Sequence, residues 1–448
     1  SPFLKLRTAT SPGSDHERSD KWIKPSIPPS RPMNTPLISV RDAVSRIIDA
    51  MPVMAGERVN LYQANGRILA EDMYALLTNP PADQSAMDGF AVNHHDLAET
   101  PVTLSLIGES AAGHPWPHAL ASGTAIRIST GANLPDGADT IIIQENTRMT
   151  ADPDNADLMS VVIMDNGKPG RFIRRKGQDF HKGDLLVSAG TKLDGRMIGL
   201  LAAGGHHTLI TRKKPVIVVG STGSELIEPG QQPVDAAHPA QIMSSNTVMI
   251  ANMITDMGGH AITLPPIADQ NDALEAALSG ITDADLLILT GGASVGRHDL
   301  VSARMKNKDT LDFWRIAMRP GKPMIFGQMD IASGLIPFLG LPGNPVSSGV
   351  CTLIFVRAAI DAMLGLSTGI TPRKAVLGMT VPENDEREEY MRGMISHDVK
   401  IGQDIFTPLP SQDSGKLMDF AHANALMIRP AHAMAMNAGD LVDVIRLK

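Results

Sequence analysis

The sequence predicts a multidomain protein of mixed α/β and β class, with a parallel α/β domain at its centre. Three observations carry that expectation. Between 213 and 367, apolar runs at 215–219, 284–289 and 337–341 each lead into a Gly-containing turn and alternate with helical stretches, the pattern of a sheet covered on both faces. Between 80 and 175, short β-type runs such as 102–107 and 140–143 lie between Gly, Pro and Asp clusters, which predicts a β-rich domain. Flanking that domain, 36–79 and 176–212 read as two halves of one discontinuous helical, linking domain.

The elements follow in order. Residues 1–35 are rich in Ser, Pro and charge and read as a disordered tail, because such a composition buries too little to repay ordering entropy. Val40, Val44, Ile47 and Ile48 share one helical face, and Ser39 is placed to cap the start. A second helix is expected at 61–69. The stretch from 195 to 212 reads as helix then strand. In the α/β domain, a helix is expected near 245–257 and another after 345, running to about 364. Residues 368–448 contain strand-like runs at 376–381, 390–395 and 441–445 and predict a small C-terminal β domain. No internal repeat is visible.

Composition narrows the functional classes. Hydrophobic residues make up 43% and charged residues 20% of the 448, enough for sizeable cores; aromatics are only 4%, so aliphatic side chains and the 25 Met are expected to fill them. A net charge of -8 argues against a general nucleic-acid binder. An anionic substrate would therefore need a local cationic pocket. The single Cys351 sits in an apolar run, reads as buried and inert, and fits a reducing compartment. No signal-like stretch opens the sequence and no run of about 18 apolar residues is apparent, so no membrane span is expected and a cytoplasmic location is the default.

Three strand-end loops carry the chemistry. Ser221-Thr222-Gly223-Ser224-Glu225, Thr290-Gly291-Gly292-Ala293-Ser294-Val295-Gly296 and Leu341-Pro342-Gly343-Asn344-Pro345 follow the three buried strands. Gly lets the backbone approach a ligand, and free N–H groups at turns and helix starts hold phosphate. One such loop is a weak signal; three at corresponding strand ends, where parallel sheets bind ligands, are a strong one. Arg315, Arg319 and Lys322 place three cations within eight residues and supply the required pocket. Glu225, Asp269 and Asp299 lie near in sequence, and carboxylates beside phosphates suggest a bridging Mg²⁺.

Seven ordered motifs add a resemblance: Ser85-Ala86-Met87-Asp88-Gly89-Phe90-Ala91-Val92, Arg127-Ile128-Ser129-Thr130-Gly131-Ala132-Asn133-Leu134-Pro135, Gly177-Gln178-Asp179, Ser221-Thr222-Gly223-Ser224-Glu225-Leu226, Gly291-Gly292-Ala293-Ser294-Val295-Gly296, Pro320-Gly321-Lys322-Pro323 and Leu341-Pro342-Gly343-Asn344-Pro345. Together they resemble the MoeA family of molybdopterin molybdenumtransferases, which includes the gephyrin E domain, over about residues 37–448. The resemblance implies a MogA-like, molybdopterin-binding α/β domain and a small C-terminal β-barrel. It also implies a homodimer whose cleft is shared between the α/β domain of one subunit and the β-rich domain of the other. The implied substrates are adenylylated molybdopterin and molybdate, with Mg²⁺ assisting, AMP released, and the molybdopterin adenylyltransferase as a possible partner.

By the same resemblance, Asp88, Thr130 and Asp179 come from the partner's β-rich domain, with Glu225 in a catalytic or metal-holding role. Gly223, Ser224, Gly291, Gly292, Ser294, Gly296, Arg315, Arg319, Lys322, Pro342, Gly343, Asn344 and Pro345 line the substrate site, with Arg392 and Ser414 approaching from the C-terminal domain. Asp88 and Asp179 are both open as the general base. Two departures stand out: Ser224 where the family usually has Asp, and Arg315 and Arg319 where it usually has Lys. Three alternatives remain at this point: the adenylyltransferase that makes the substrate, a non-catalytic scaffold, and a degenerate family member. The β-rich domain with Asp88 and Asp179 argues against the first.

Overall fold

A computed structural model describes residues 37–151, 159–230, 241–291, 301, 304–305, 311–367, 370–400 and 402–447. The expected tail, Gly292, Ser294, Gly296 and Asp299 lie outside the described residues. The chain opens on helix α1 (Val40–Ala50), where the Ser39 hydroxyl accepts from the Asp42 N–H at 3.0 Å. Val40, Ala43 and Ile47 turn inward, but into the core of the α/β domain rather than onto the linking strands that follow. Burying Ile47 alone contributes about 1.5–3 kcal/mol. The helix expected at 61–69 is only a 3-10 turn, Leu61–Gln63; the Asn60 side chain accepts from the Gln63 N–H, and Gly66 at φ 74° ends any helical run.

The linking domain is sewn together across the β-rich insertion. Strand Gly56–Asn60 pairs antiparallel with Thr208–Arg212, and Met73–Tyr74 with Leu185–Val187. Helix α2 (Gly195–Ala203) is capped by Asp194, which accepts from the N–H groups of Arg196 and Met197, and it packs Leu201 beneath these strands. The inserted β-rich domain is a six-stranded sheet in the order Thr140–Ile143, Gly89–Val92, Thr124–Ile128, Val102–Ser110, Met159–Ile163, Thr147–Ala151.

The α/β sheet runs in the order His260–Thr263, Val216–Ser221, Leu286–Thr290, Gly334–Leu341, Ile325–Ile331, Leu311–Trp314. The first four strands are parallel, as the apolar runs predict. The last two extend the sheet antiparallel, so it is mixed rather than wholly parallel; the turn into Gly334 is too short for a helical crossover. Helices α3 (Ser245–Asp256) and α5 (Pro345–Met363) cover one face, and α4 (Asn271–Ser279) packs on the other. Helix α5, which contains a π-turn at Thr352–Val356, is long and apolar enough to cross a membrane, which the sequence reading did not bring out. It is 89% buried inside the protein over its apolar window and carries the Arg357–Asp361 ion pair, as a core helix can.

The C-terminal domain is a closed five-stranded barrel of Arg373–Leu377, Glu388–Asp398, Gln403–Pro408, Ala425–Arg429 and Leu441–Arg446. A short strand, Met318–Arg319, leaves the α/β domain and pairs with Glu388 and Glu389 of this barrel. Tyr390, Leu426 and Ile445 of the barrel also enter the core built on α1, α3 and α5. The two domains therefore share buried surface, which fixes the wall between them. Methionine fills the cores only in part: Met318, Met324 and Met363 are buried, whereas Met418 and Met434 are exposed.

Candidate active site

The three loops open from one edge of the sheet because Ser221, Thr290 and Leu341 sit in register on neighbouring strands. They touch. Gly291 has φ 100°, and a Cβ there would lie 2.3 Å from the Thr222 carbonyl oxygen, so only glycine fits. A Cβ on Gly343 would lie 3.5 Å from the Gly291 Cα. Below them, buried hydroxyls tie strand to strand and strand to helix: Ser221 Oγ is 2.8 Å from Thr290 Oγ1 and 2.6 Å from Thr247 Oγ1. Asn246 at the start of α3 donates to the Gly343 carbonyl at 2.7 Å, and the Ser348 hydroxyl donates to the Pro342 carbonyl. The Pro-Gly-Asn turn is thus held from beneath on two sides. Pro345, at the first turn of α5, starts that helix with the fixed φ it needs.

Facing these loops is the wall between the α/β domain and the barrel. Gly291, Gly343 and Asn344 on one side, Arg319–Pro323 across, and Arg387, Gln412 and Ser414 from the barrel enclose a cleft of about 490 Å³. Asn344 donates from Nδ2 to the Ser414 hydroxyl at 2.9 Å, and Val346 donates its N–H to the Ser414 carbonyl at 3.2 Å. Ser414 and Asn344 therefore meet at the seam, as the motif pattern implies.

The cleft cations are not equivalent. Arg319 is bound to Glu389 at 2.7 Å and to Asp385 at 3.3 Å, and its Nη2 also donates to Asn384 Oδ1 at 3.1 Å. The Arg387 guanidinium grips the same Asp385 and, with the Arg319 charge behind it, holds that carboxyl below the usual range. The Lys322 carbonyl accepts from the Ile316 and Met324 N–H groups, but its ammonium makes no hydrogen bond or ion pair within the described residues and is the cleft cation most available to a ligand. Arg315 sits in a turn at φ 82° and does not line the cleft. Arg392, expected to approach the substrate, is only 1% exposed. It lies behind Gln412, whose side chain is bonded to the Arg392 N–H and carbonyl at 2.9 and 3.0 Å, and burial lowers its pKa. The strand alternation that points Arg392 into the domain cannot be read without its partner strands.

The acidic candidates divide into two places. Glu225 folds its carboxylate back over Gly223, whose Cβ position lies 2.7 Å from Glu225 Oε1. Asp269 accepts from the Ser224 N–H at 3.4 Å and returns its own N–H to the Ser224 hydroxyl at 3.1 Å. Both carboxylates thus flank the loop at 222–225, and their all-oxygen donor set suits Mg²⁺ with waters completing the shell. Ser224 thereby orients Asp269. No group of three metal-binding side chains occurs among the described residues.

Far from the cleft in sequence and sheet, Asp88 accepts the Thr130 N–H at 2.7 Å. That bond, the Thr130 hydroxyl and the Arg127 charge hold the Asp88 carboxyl below its ordinary value. Asp179 accepts from Asn79 Nδ2 at 3.1 Å. None of Asp88, Thr130 and Asp179 lines the cleft of the same chain. Cys351 is fully buried and its thiol is pushed up by burial, so it is inert. Sequence reasoning missed Asn246, Arg387 and Gln412: none sits in a glycine loop, and Arg387 lies in an acidic run where a cation reads as ordinary surface.

Known proteins bear on this geometry. Residues 38–205 match the MoeA N-terminal region (domain I and II), residues 217–362 a probable molybdopterin binding domain, and residues 374–447 the MoeA C-terminal region (domain IV). A protein of Nostoc sp. named molybdopterin molybdenumtransferase is 33% identical over 429 residues, covering 92% of this chain and 94% of that one. A protein of the same name from Haemophilus influenzae is 31% identical, covering 91% of this chain and 98% of that one. A crystal structure of a molybdopterin biosynthesis MoeA protein from Pyrococcus horikoshii superposes with a TM-score of 0.77 at 28% identity, covering 92% of this chain and all of that one. With each of its folded parts matched in order, the chain belongs to the MoeA family of molybdopterin molybdenumtransferases, enzymes of molybdenum cofactor biosynthesis.

Proposed function

We propose that the chain acts on adenylylated molybdopterin, cleaving its pyrophosphate bond, transferring molybdate to the dithiolene and releasing AMP. The observation that carries this reading is the cleft where two strand-end loops, at Gly291 and at Pro342–Asn344, face Arg319, Lys322 and Arg387; the loop at 222–225, with Gly223, Ser224 and Glu225, touches Gly291 through Thr222 and does not itself line the cleft. Its volume lies within the range of small-molecule sites. Loop N–H groups and the unpaired Lys322 ammonium suit phosphate and molybdate oxygens, and Arg387 adds a fork held in place by Asp385. These charges are pre-set, so they stabilise negative charge that builds during displacement without rearranging.

Glu225 and Asp269 would hold Mg²⁺ at the loop 222–225, where it would neutralise phosphate charge. Asp88, kept ionised by Thr130 and Arg127, is a poor proton acceptor but a well-held anion. It suits orientation of an attacking water better than storage of a proton. In this reading Asp88, Thr130 and Asp179, which lie outside their own chain's cleft, would serve the cleft of a second subunit in a homodimer. The adenylylated substrate would come from the molybdopterin adenylyltransferase, in the reducing cytoplasm that a lone buried cysteine suits.

The test is AMP release by the purified protein from adenylylated molybdopterin, with molybdate and Mg²⁺ present or omitted in turn. Release that requires both is expected. No release from folded, dimeric protein would overturn the reading.

A further inference from the structure

A second concave feature lies away from the cleft, where the linking domain meets the α/β domain. The notch holds about 30 Å³, bounded by Arg67, Lys192 and Arg212 from the linking side and by Lys214, Arg357 and Asp361 from the α/β side. Nothing in the proposed reaction uses it. Like charges crowd there at a cost unless something offsets them, so their partners matter.

The internal partners do not suffice. Arg67 pairs with Glu57 and donates to the Arg212 carbonyl. Arg212 donates from Nη1 to the Met54 carbonyl at 3.1 Å. Arg357 uses only Nε, 2.9 Å from both Asp361 oxygens. Among the described residues the Lys192 and Lys214 ammonium groups make no hydrogen bond or close ion pair, and Lys192 acts on Asp361 only through space. Five cations therefore face two carboxylates, and guanidinium N–H groups of Arg212 and Arg357 are left over. Burial raises the pKa of Asp361, which weakens its value as a counter-charge.

The plain alternative is that the cations serve the C-terminal ends of α3 and α5, which border the notch. The bonds argue otherwise: none of the Arg67, Arg212 or Arg357 hydrogen bonds above goes to a carbonyl of either helix. The Met363 carbonyl is taken by the Met54 N–H at 2.7 Å, and the Ile360 carbonyl by the Leu364 N–H at 2.9 Å.

We propose that this interdomain notch binds one small tetrahedral dianion of the phosphate, sulfate or molybdate class, bridging the linking and α/β domains. Its small volume leaves room for a small ion and not for a nucleotide. Planar forks and flexible ammonium groups converging from two domains are the donor set that oxyanions take.

Equilibrium dialysis of the full-length protein with radiolabelled inorganic phosphate, at fixed ionic strength, tests the assignment. Two variants separate this site from the catalytic cleft. In Lys322→Gln, which weakens the cleft, the notch should still bind phosphate. In the double variant Lys192→Gln/Lys214→Gln, both changes lie on exposed side chains and spare the fold, and that binding should weaken by about tenfold or more. Displacement by sulfate or molybdate supports the tetrahedral class. The proposal is overturned if no phosphate binds, if the double variant binds like the parent, if Lys322→Gln removes all binding, or if nitrate displaces phosphate as well as sulfate does.

Discussion

The cleft and the Asp88 loop pose opposite problems. In the cleft, charges are abundant and held in a wall shared by two domains, with Lys322 left for a ligand. Around Asp88, one carboxylate is fixed by the Thr130 backbone in a different domain, outside that cleft. In the proposed reading, the two meet across subunits. The largest effect tests this. Asp88→Ala should lower turnover by about a thousandfold while leaving substrate affinity near the parent's. Mixing Asp88→Ala with Lys322→Ala under subunit exchange, at substrate far below saturation where the second keeps about a tenth of parental activity, should raise activity to roughly a quarter of the parent's, since mixed dimers regain one intact site. No recovery would place both groups in one chain's site.

The cleft side depends on backbone close approach, and this gives the next effect. Gly291→Ala puts a methyl group into the Thr222 carbonyl at a φ of 100°. It should cost about 2–3 kcal/mol of stability and separate the first two loops. Urea unfolding monitored by circular dichroism reads it directly; a change below about 0.5 kcal/mol would show that the loops do not touch in solution. Gly131, at φ 82° beside the Asp88 loop, has nothing within 4 Å of its Cβ position, so Ala there meets backbone strain alone.

Much of this contrast was legible in the sequence, for different reasons in each region. The three strands are continuous apolar runs, and their Gly-bearing ends mark where loops open, so cleft loops could be read from local pattern alone. Asp88 reads locally as an ordinary Asp-Gly turn, and only the ordered motifs lifted it out. What stayed hidden depends on long-range pairing. Met318–Arg319 joins the barrel through Glu388 and Glu389, which converts Arg319 from a loose cation into a tethered one. Arg392 pairs with Leu426 inside the barrel and is buried there. The expected helix at 61–69 is only a 3-10 turn, Leu61–Gln63, ending at Ala64, with the left-handed Gly66 just beyond it.

Lys322→Ala is the third test and sharpens the difference between tethered and free cations. Removing an unpaired cation from a partly open cleft should weaken substrate binding by about tenfold, more at low salt than at high. Arg319→Ala should behave differently, losing stability as well as affinity because it leaves Glu389 buried without one of its two arginine partners. Equal effects on affinity and none on stability would mean that Arg319 is as free as Lys322.

The smallest effect concerns Asp385, which Arg387 and Arg319 share. Its folded pKa is depressed below the ordinary 3.8, so the stabilisation is present above about pH 4 and is lost as pH falls through the lowered folded value. Asp385→Asn should therefore cost under about 1 kcal/mol at neutral pH, because the pair is partly solvated, and nothing at pH values below both titrations. The informative readout is the slope of stability against pH between about 2 and 5, compared between parent and Asp385→Asn. A shallower slope in the variant identifies Asp385 as one of the carboxylates that set acid stability. An unchanged slope would mean that Arg387 holds Asp385 only in the liganded cleft, and that the barrel side of the wall is assembled by the substrate rather than ahead of it.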